Sequence, residues 1–146
     1  MQQPPRQLPP SLSLGSIDRE RTAALVQATE DAFARADVPA ILAGFTDDVI
    51  IQFADLPEIR GVAEAEKFLR ARFARQKNYR LKKSLRMVEG SMIGNFWEGT
   101  WEDAHNGAAM RGRGTEFWTL NDGKVAVWEA TFNVWEEAKG PSIPIL

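Results

Sequence analysis

Cysteine is absent from the 146 residues, which removes disulfides, thiolate metal sites and cysteine nucleophiles from consideration and leaves no need for an oxidising compartment. Histidine and tyrosine occur once each, as His105 and Tyr79, so a dedicated transition-metal site is not expected. No apolar run approaches the roughly 18 to 20 residues that span a bilayer, and no membrane association is expected. Net charge is also scarce: a formal value of -2 exerts no global pull on nucleic acid or anionic lipid. The opening MQQPPRQLPPSLSLGS has four prolines and lacks the continuous apolar segment of a secretory signal. Residues 1–15 therefore read as a proline-rich leader of a cytoplasmic protein. Phosphate-binding loops and serine nucleophile elbows are missing as well, and nothing implies a cofactor.

What is present suffices for one domain. A chain of this length buries roughly 70% of the surface its unfolded form exposes, so its core needs no staples. Ser16, followed by Asp18 and Glu20 in a first turn, starts a helix expected over 17–36, with Leu25, Thr29, Ala32, Phe33 and Ala36 along one face. A short second helix is expected at 39–45, TDDVIIQF reads as a turn followed by a short strand, ADLPEIRG as a loop, and 62–76 as a third helix burying Ala65, Phe68, Leu69 and Phe73. The period then changes from helical to alternating. Four strands follow at 79–88, 92–103, 110–120 and 124–135, separated by EGS, AHNGAA and NDG, which are hairpin turn signals. Helices first and an antiparallel meander afterwards predict an α+β domain over 16–138, three helices packed on one face of a curved sheet, with a tail at 139–146.

Hairpin register follows from turn length, so each turn can be read for its consequences. Asn106-Gly107 as a two-residue turn sets Trp101 opposite Gly112, Trp97 opposite Glu116, Phe96 opposite Phe117 and Glu102 opposite Arg111. Large side chains then meet glycines, and opposite charges meet. A three-residue loop at EGS sets Lys83 opposite Trp97 and puts Met87, Leu85, Lys83, Leu81 and Tyr79 on the inner face. A three-residue loop at NDG, with Gly123 left-handed, sets Glu116 opposite Trp128, whereas a two-residue turn would bring Glu116 against Glu129. In this register Lys83 and Glu116 converge on an inner face of Tyr79, Trp97, Trp101, Trp118 and Trp128. A buried lysine and carboxylate must meet each other or line a wet cavity. Both a structural ion pair and a ligand-contacting pair satisfy that rule, since buried charges also cluster at functional sites. The tryptophans are equally open to a core or a pocket role.

Lys67 to Arg86 carries nine basic residues and no acidic one. Such a run suggests phosphate binding, but apart from Lys83 its basic members fall at solvent-facing positions among core Phe and Leu residues, and no nucleic-acid partner is expected. Glycines at 112 and 114 are read as a bend or a close approach rather than as a phosphate cradle. His105, beside the Asn106-Gly107 turn, reads as an exposed tip residue.

The segments PPRQLPPSL, IDRERTAALVQATEDAFARADV, RGVAEAEKFLRARFARQKNYRLKKSL, RGRGTEFW and GKVAVWEATFN together cover nearly the whole chain. They resemble the SnoaL-like proteins of the nuclear transport factor 2-like superfamily, in particular a bacterial group with a proline-rich leader. That resemblance implies a cone-shaped domain enclosing a small-molecule pocket, and sheet-to-sheet homodimers. The family's YRLxK element corresponds to Lys83 and its RxxGxExW element to Arg111, Gly114, Glu116 and Trp118. Lys83 and Glu116 thus become the candidate catalytic pair, with Tyr79, Trp97, Trp101, Trp118, Trp128 and Asn133 as candidate ligand contacts. Asn133 stands where related cyclases end the last strand with an aspartate, and asparagine cannot supply the acid or base. A steroid-isomerase-like site matches poorly because Tyr79 lies at the far end of the face. The expected ligand is a small apolar or carbonyl-bearing metabolite, with isomerase, cyclase or dehydratase-type chemistry as one reading. Non-catalytic binding, or a homodimer without turnover, is the other. The outer strip of Phe96, Phe117 and Val127 is the expected dimer surface.

Overall fold

The computed structural model of the protein describes residues 19–145; the expected leader and the Ser16 cap lie outside them. Helix α1 runs Arg19–Ala34, α2 Val38–Ala43 and α3 Val62–Arg75. Strands are β1 Phe45–Phe53, β2 Ile59–Arg60, β3 Gln76–Glu89, β4 Met92–Asp103, β5 Ala109–Asn121 and β6 Lys124–Glu136. Residues 139–145 carry no helix or strand.

Ala36 does not extend the apolar face of α1 as expected. It takes a left-handed conformation, with φ at 50°, and ends the helix. Its N–H donates to Phe33 O while that of Asp37 donates to Ala32 O, satisfying carbonyls that a helix end leaves orphaned. Asp37 then caps α2 through a bond from Ala40 N to Oδ1 at 3.1 Å, so one sharp corner sets the angle between the two helices. Ala65 and Leu69 of α3 are fully buried, with Phe68 and Phe73 packed against the core.

All six strands join one sheet in the order β2-β1-β6-β5-β4-β3. Two features depart from the sequence expectation. Ile59 and Arg60, expected in a loop, pair with Ile51 and Ile50 as an edge strand. Strand β1 is parallel to β6, so the sheet is antiparallel except at this one junction. Helix α1 packs across β3, and α3 across β1 and β3, closing the concave side into the cone of a nuclear transport factor 2-like fold.

Each hairpin differs from its expected turn, for a physical reason. The β4–β5 pairing sets Trp97 opposite Gly114, Trp101 opposite Met110 and Asn95 opposite Glu116, two residues away from the expected register. Asp103 supports the longer loop: its backbone O accepts from Gly107 N and its side chain from His105 N, and the connection spans five residues, 104–108, instead of two. At β5–β6 the turn is the two-residue form, with Asp122 and Gly123 both at positive φ. A register shift between Thr119 and Leu120 then moves Glu116 opposite Ala130, and the clash with Glu129 never arises. At β3–β4 the turn is again two residues, and a shift between Leu85 and Met87 restores Lys83 opposite Trp97, as expected. That shift turns Met87 off the inner face: it is 36% exposed, and its side chain covers Gly94.

Close approach explains the strand glycines. A Cβ on Gly112 would press on the Trp101 ring at 3.0 Å, and one on Gly114 would collide with the Thr131 carbonyl oxygen.

Candidate functional site

Alternation along β3, β4, β5 and β6 sends Lys83, Asn95, Glu116 and Trp128 to the concave side, where the four strands bring them together. Glu116 is 2% exposed, and its carboxylate accepts three hydrogen bonds. Oε1 accepts from Lys83 Nζ and, at 3.2 Å, from Asn95 Nδ2; Oε2 accepts from Trp128 Nε1 at 3.0 Å. The Lys83 and Glu116 side chains are 4% and 1% exposed, a buried ion pair with supporting donors. Lys83 Nζ also lies 5.2 Å from the Trp118 ring centroid. Burial pushes the Lys83 ammonium below its ordinary range; Glu116 opposes that effect and the Arg72 cation adds to it.

Two cavities flank this cluster on the concave side. The first, about 380 Å³, lies beneath α1 and α2 and is lined by Leu25, Phe33, Ile41 and Phe45 with Trp118, Trp128 and Lys83. Its other charged liner, Arg35, has a side chain 61% exposed and sits at the rim. The second, about 500 Å³, lies beneath α3 between Phe68, Trp97, Trp101 and Phe132 and includes Arg72. Phe33, Phe53 and Trp128 pack edge to face between the two.

Of the residues expected at the site, Trp118 and Trp128 line the first cavity and Trp97 and Trp101 the second. Tyr79 is buried, tilted against Trp101 and lying over Gly99, with its hydroxyl accepting from Arg72 Nη2 at 3.0 Å. Asn133 belongs to neither cavity. It pairs with Arg113 on the convex face, because Trp128, Ala130 and Phe132 take the concave positions of β6. Val127, expected on an exposed strip, is 7% exposed between Thr119 and Ile50 of the neighbouring strands, whereas Phe117 is 41% exposed. His105 sits exposed at the β4–β5 tip. Among the described residues no cluster of three or more His, Asp or Glu side chains is placed to hold a metal.

Arg72 was not anticipated. The basic run placed it in solvent, yet its guanidinium lies 4.9 to 5.4 Å from the centroids of Phe33, Phe53 and Tyr79. Nε donates to Gln76 Oε1 at 2.6 Å, and buried Nη1 has no partner among the described residues. Helical spacing held the signal, since 72 follows 65, 68 and 69 on the apolar face of α3. Nearby, Arg75 holds Asp103 with bonds of 3.2 and 3.0 Å, and that guanidinium, followed by the His105 N–H, keeps the Asp103 carboxyl below the usual carboxylate range.

A SnoaL-like domain model matches residues 26–128, well over half of the chain. No protein of curated function matches it. Among solved structures, a candidate polyketide cyclase from Xanthomonas campestris pv. campestris is 26% identical, with a TM-score of 0.67 over 77% of this chain and 90% of that one. A nuclear transport factor 2-like protein of unknown function from Burkholderia pseudomallei is 21% identical, with a TM-score of 0.70 over 77% and 91%. An epoxide hydrolase from M. tuberculosis is 16% identical, with a TM-score of 0.62 over 78% and 84%. The two matches under 25% identity speak for the fold alone. With a family model spanning most of the folded domain, and strands and helices arranged in the same cone, this chain belongs to the SnoaL-like family of the nuclear transport factor 2-like superfamily.

Proposed function

We propose that the protein binds a small, largely apolar, carbonyl-bearing metabolite in the cavity beneath α1 and α2, with Lys83 as its polar contact and Glu116 as the group that holds Lys83. The observation that carries this reading is the position of Lys83: a lysine whose side chain is 4% exposed forms, among the described residues, the one charged part of the inner wall of a largely apolar space. An ammonium has three N–H donors, and Glu116 accepts from one. A ligand oxygen takes another, and a donor aimed at a carbonyl stabilises negative charge that develops on that oxygen during enolisation. Acid–base chemistry of the isomerase, cyclase or dehydratase type is the corresponding activity, and the Xanthomonas relative described as a candidate polyketide cyclase favours it.

One observation favours a second reading, binding without turnover. Glu116 already accepts three hydrogen bonds and lines neither cavity, so it is placed to position Lys83 rather than to take a proton from a ligand carbon. Titrating tryptophan fluorescence with carbonyl-bearing metabolites, then searching for product by mass spectrometry, separates the two. A hydrogen bond to a charged group contributes about 1.5 to 3 kcal/mol, so Lys83→Met should weaken binding roughly tenfold to a hundredfold. Unchanged affinity in that variant overturns the role of Lys83. The convex face supports a homodimer through Phe96 and Phe117, with exposed Met87 beside Phe117 in place of buried Val127.

A further inference from the structure

We propose that Lys83 traps its ligand covalently: its Nζ forms a Schiff base with an aldehyde or ketone in the cavity beneath α1 and α2, and Glu116 carries the protons. The inference rests on the reading of that cavity as the ligand site and adds a bond-forming step to it.

Three features of the site converge on this chemistry. Lys83 is placed by β3 with Leu81 and Leu85 on the same face, so its amine emerges among apolar walls and not into water. Such desolvation disfavours the ammonium and exposes the nucleophilic amine, and the nearby Arg72 cation acts in the same direction. Glu116 touches the same Nζ directly and is itself held from two further sides by Asn95 and Trp128, so a proton crosses a single hydrogen bond whose acceptor does not swing away. Lysine outside such an environment is a compact, strongly hydrated cation.

The steps balance without any co-reactant. The Lys83 ammonium passes a proton to Glu116, leaving amine and carboxylic acid. The nitrogen lone pair forms the C–N bond while the carbonyl π electrons move to oxygen, which takes the Glu116 proton. Glu116 then accepts a proton from nitrogen and returns it to the hydroxyl, which departs as water as the C=N bond forms. The product is an iminium beside a carboxylate. Because an iminium–carboxylate pair replaces an ammonium–carboxylate pair, the buried charge remains compensated throughout.

Incubating the full-length protein with benzaldehyde or hexanal, reducing with sodium borohydride and mapping peptides tests the proposal. The expected result is a reduced adduct on Lys83 ahead of Lys67, Lys77, Lys82, Lys124 and Lys139, lost in Lys83→Arg and formed more slowly in Glu116→Gln. Peptide mapping of the unmutated chain decides the site even where a variant fails to fold. Indole N–H resonances of Trp118 and Trp128, followed by NMR in the same mixtures, report occupancy. Shifted resonances without a Lys83 adduct overturn the covalent step and leave the cavity reading standing. Neither shift nor adduct with both probes overturns the two together, and modification spread over the surface lysines with Lys83 untouched overturns the Schiff base.

Discussion

Trp128 Nε1 donates to Glu116 Oε2 at 3.0 Å, on the other oxygen of the carboxylate that Lys83 reaches from β3. With Asn95 from β4, four consecutive strands of the sheet converge on one side chain. The carboxylate is therefore both an anchor for the curved sheet and the partner of the amine at the cavity wall.

Removing one member of that pair leaves a buried charge unmatched, which costs about 3 to 5 kcal/mol, whereas replacing both with apolar side chains is often close to neutral. Glu116→Leu should lower the urea midpoint accordingly. The double variant Lys83→Met, Glu116→Leu should recover much of the loss. Equal destabilisation of the single and double variants would show that the pair contributes nothing through its charge.

Alkaline stability carries a signature of Lys83. Burial lowers its folded-state pKa below 10.5, so between those two values the unfolded chain binds a proton that the native state does not, and stability rises with pH. Tyr79, raised from 10.0 chiefly by burial, acts in the opposite sense above that value, so the rise is to be read below it. Urea midpoints measured across this window should climb in the native protein and flatten in Lys83→Met.

On the acid side Asp103 sets the direction. Arg75 and the His105 N–H lower its folded pKa from 3.8, so its contribution is complete above 3.8 and disappears as pH falls through the lowered value. Asp103→Asn should remove that part of the acid limb and loosen the β4–β5 turn, seen as faster amide exchange at Gly107.

Two glycines separate crowding from backbone conformation. Gly114→Ala forces a methyl group against the Thr131 carbonyl oxygen, and overpacking of this kind costs about 1 to 3 kcal/mol. Gly123→Ala meets no neighbour but holds φ at +75°, for which roughly 1 to 2 kcal/mol is expected. Thermal melts should show both losses, while amide NMR shifts should move along β5–β6 in Gly114→Ala and stay in place beyond the turn in Gly123→Ala.

The convex face is tested by Phe117→Lys. Light scattering should show a dimer in the native protein and a monomer in the variant; a native monomer at high concentration would remove the proposed interface.

Much of this architecture was legible in the residues themselves. Period 3.6 in 62–75 and period 2 from 92 onward set helix and strand, and the concave face of β4, of β5 and of β3 as far as Leu85 was read correctly although the β4–β5 register was not. The error was two residues, and a shift of two preserves which face each side chain takes. Lys83 consequently still meets Glu116, now across Asn95 instead of Trp97. Asn133 was misplaced because it was located by likeness to relatives and not by parity with Trp128.

By itself the sequence determined the types of the long elements, the parity of β4 and β5 and the chemistry of the inner face, because these depend on spacing within a segment. Only the tertiary structure decided which turn each hairpin adopts, where Met87 and Val127 lie, and that Arg72 stands in an aromatic cage. Those outcomes depend on loop hydrogen bonds and bulges that offset one another between strands, and on rings from α1, β1 and β3 brought around an arginine of α3. Neither kind of information resides in any single stretch of chain.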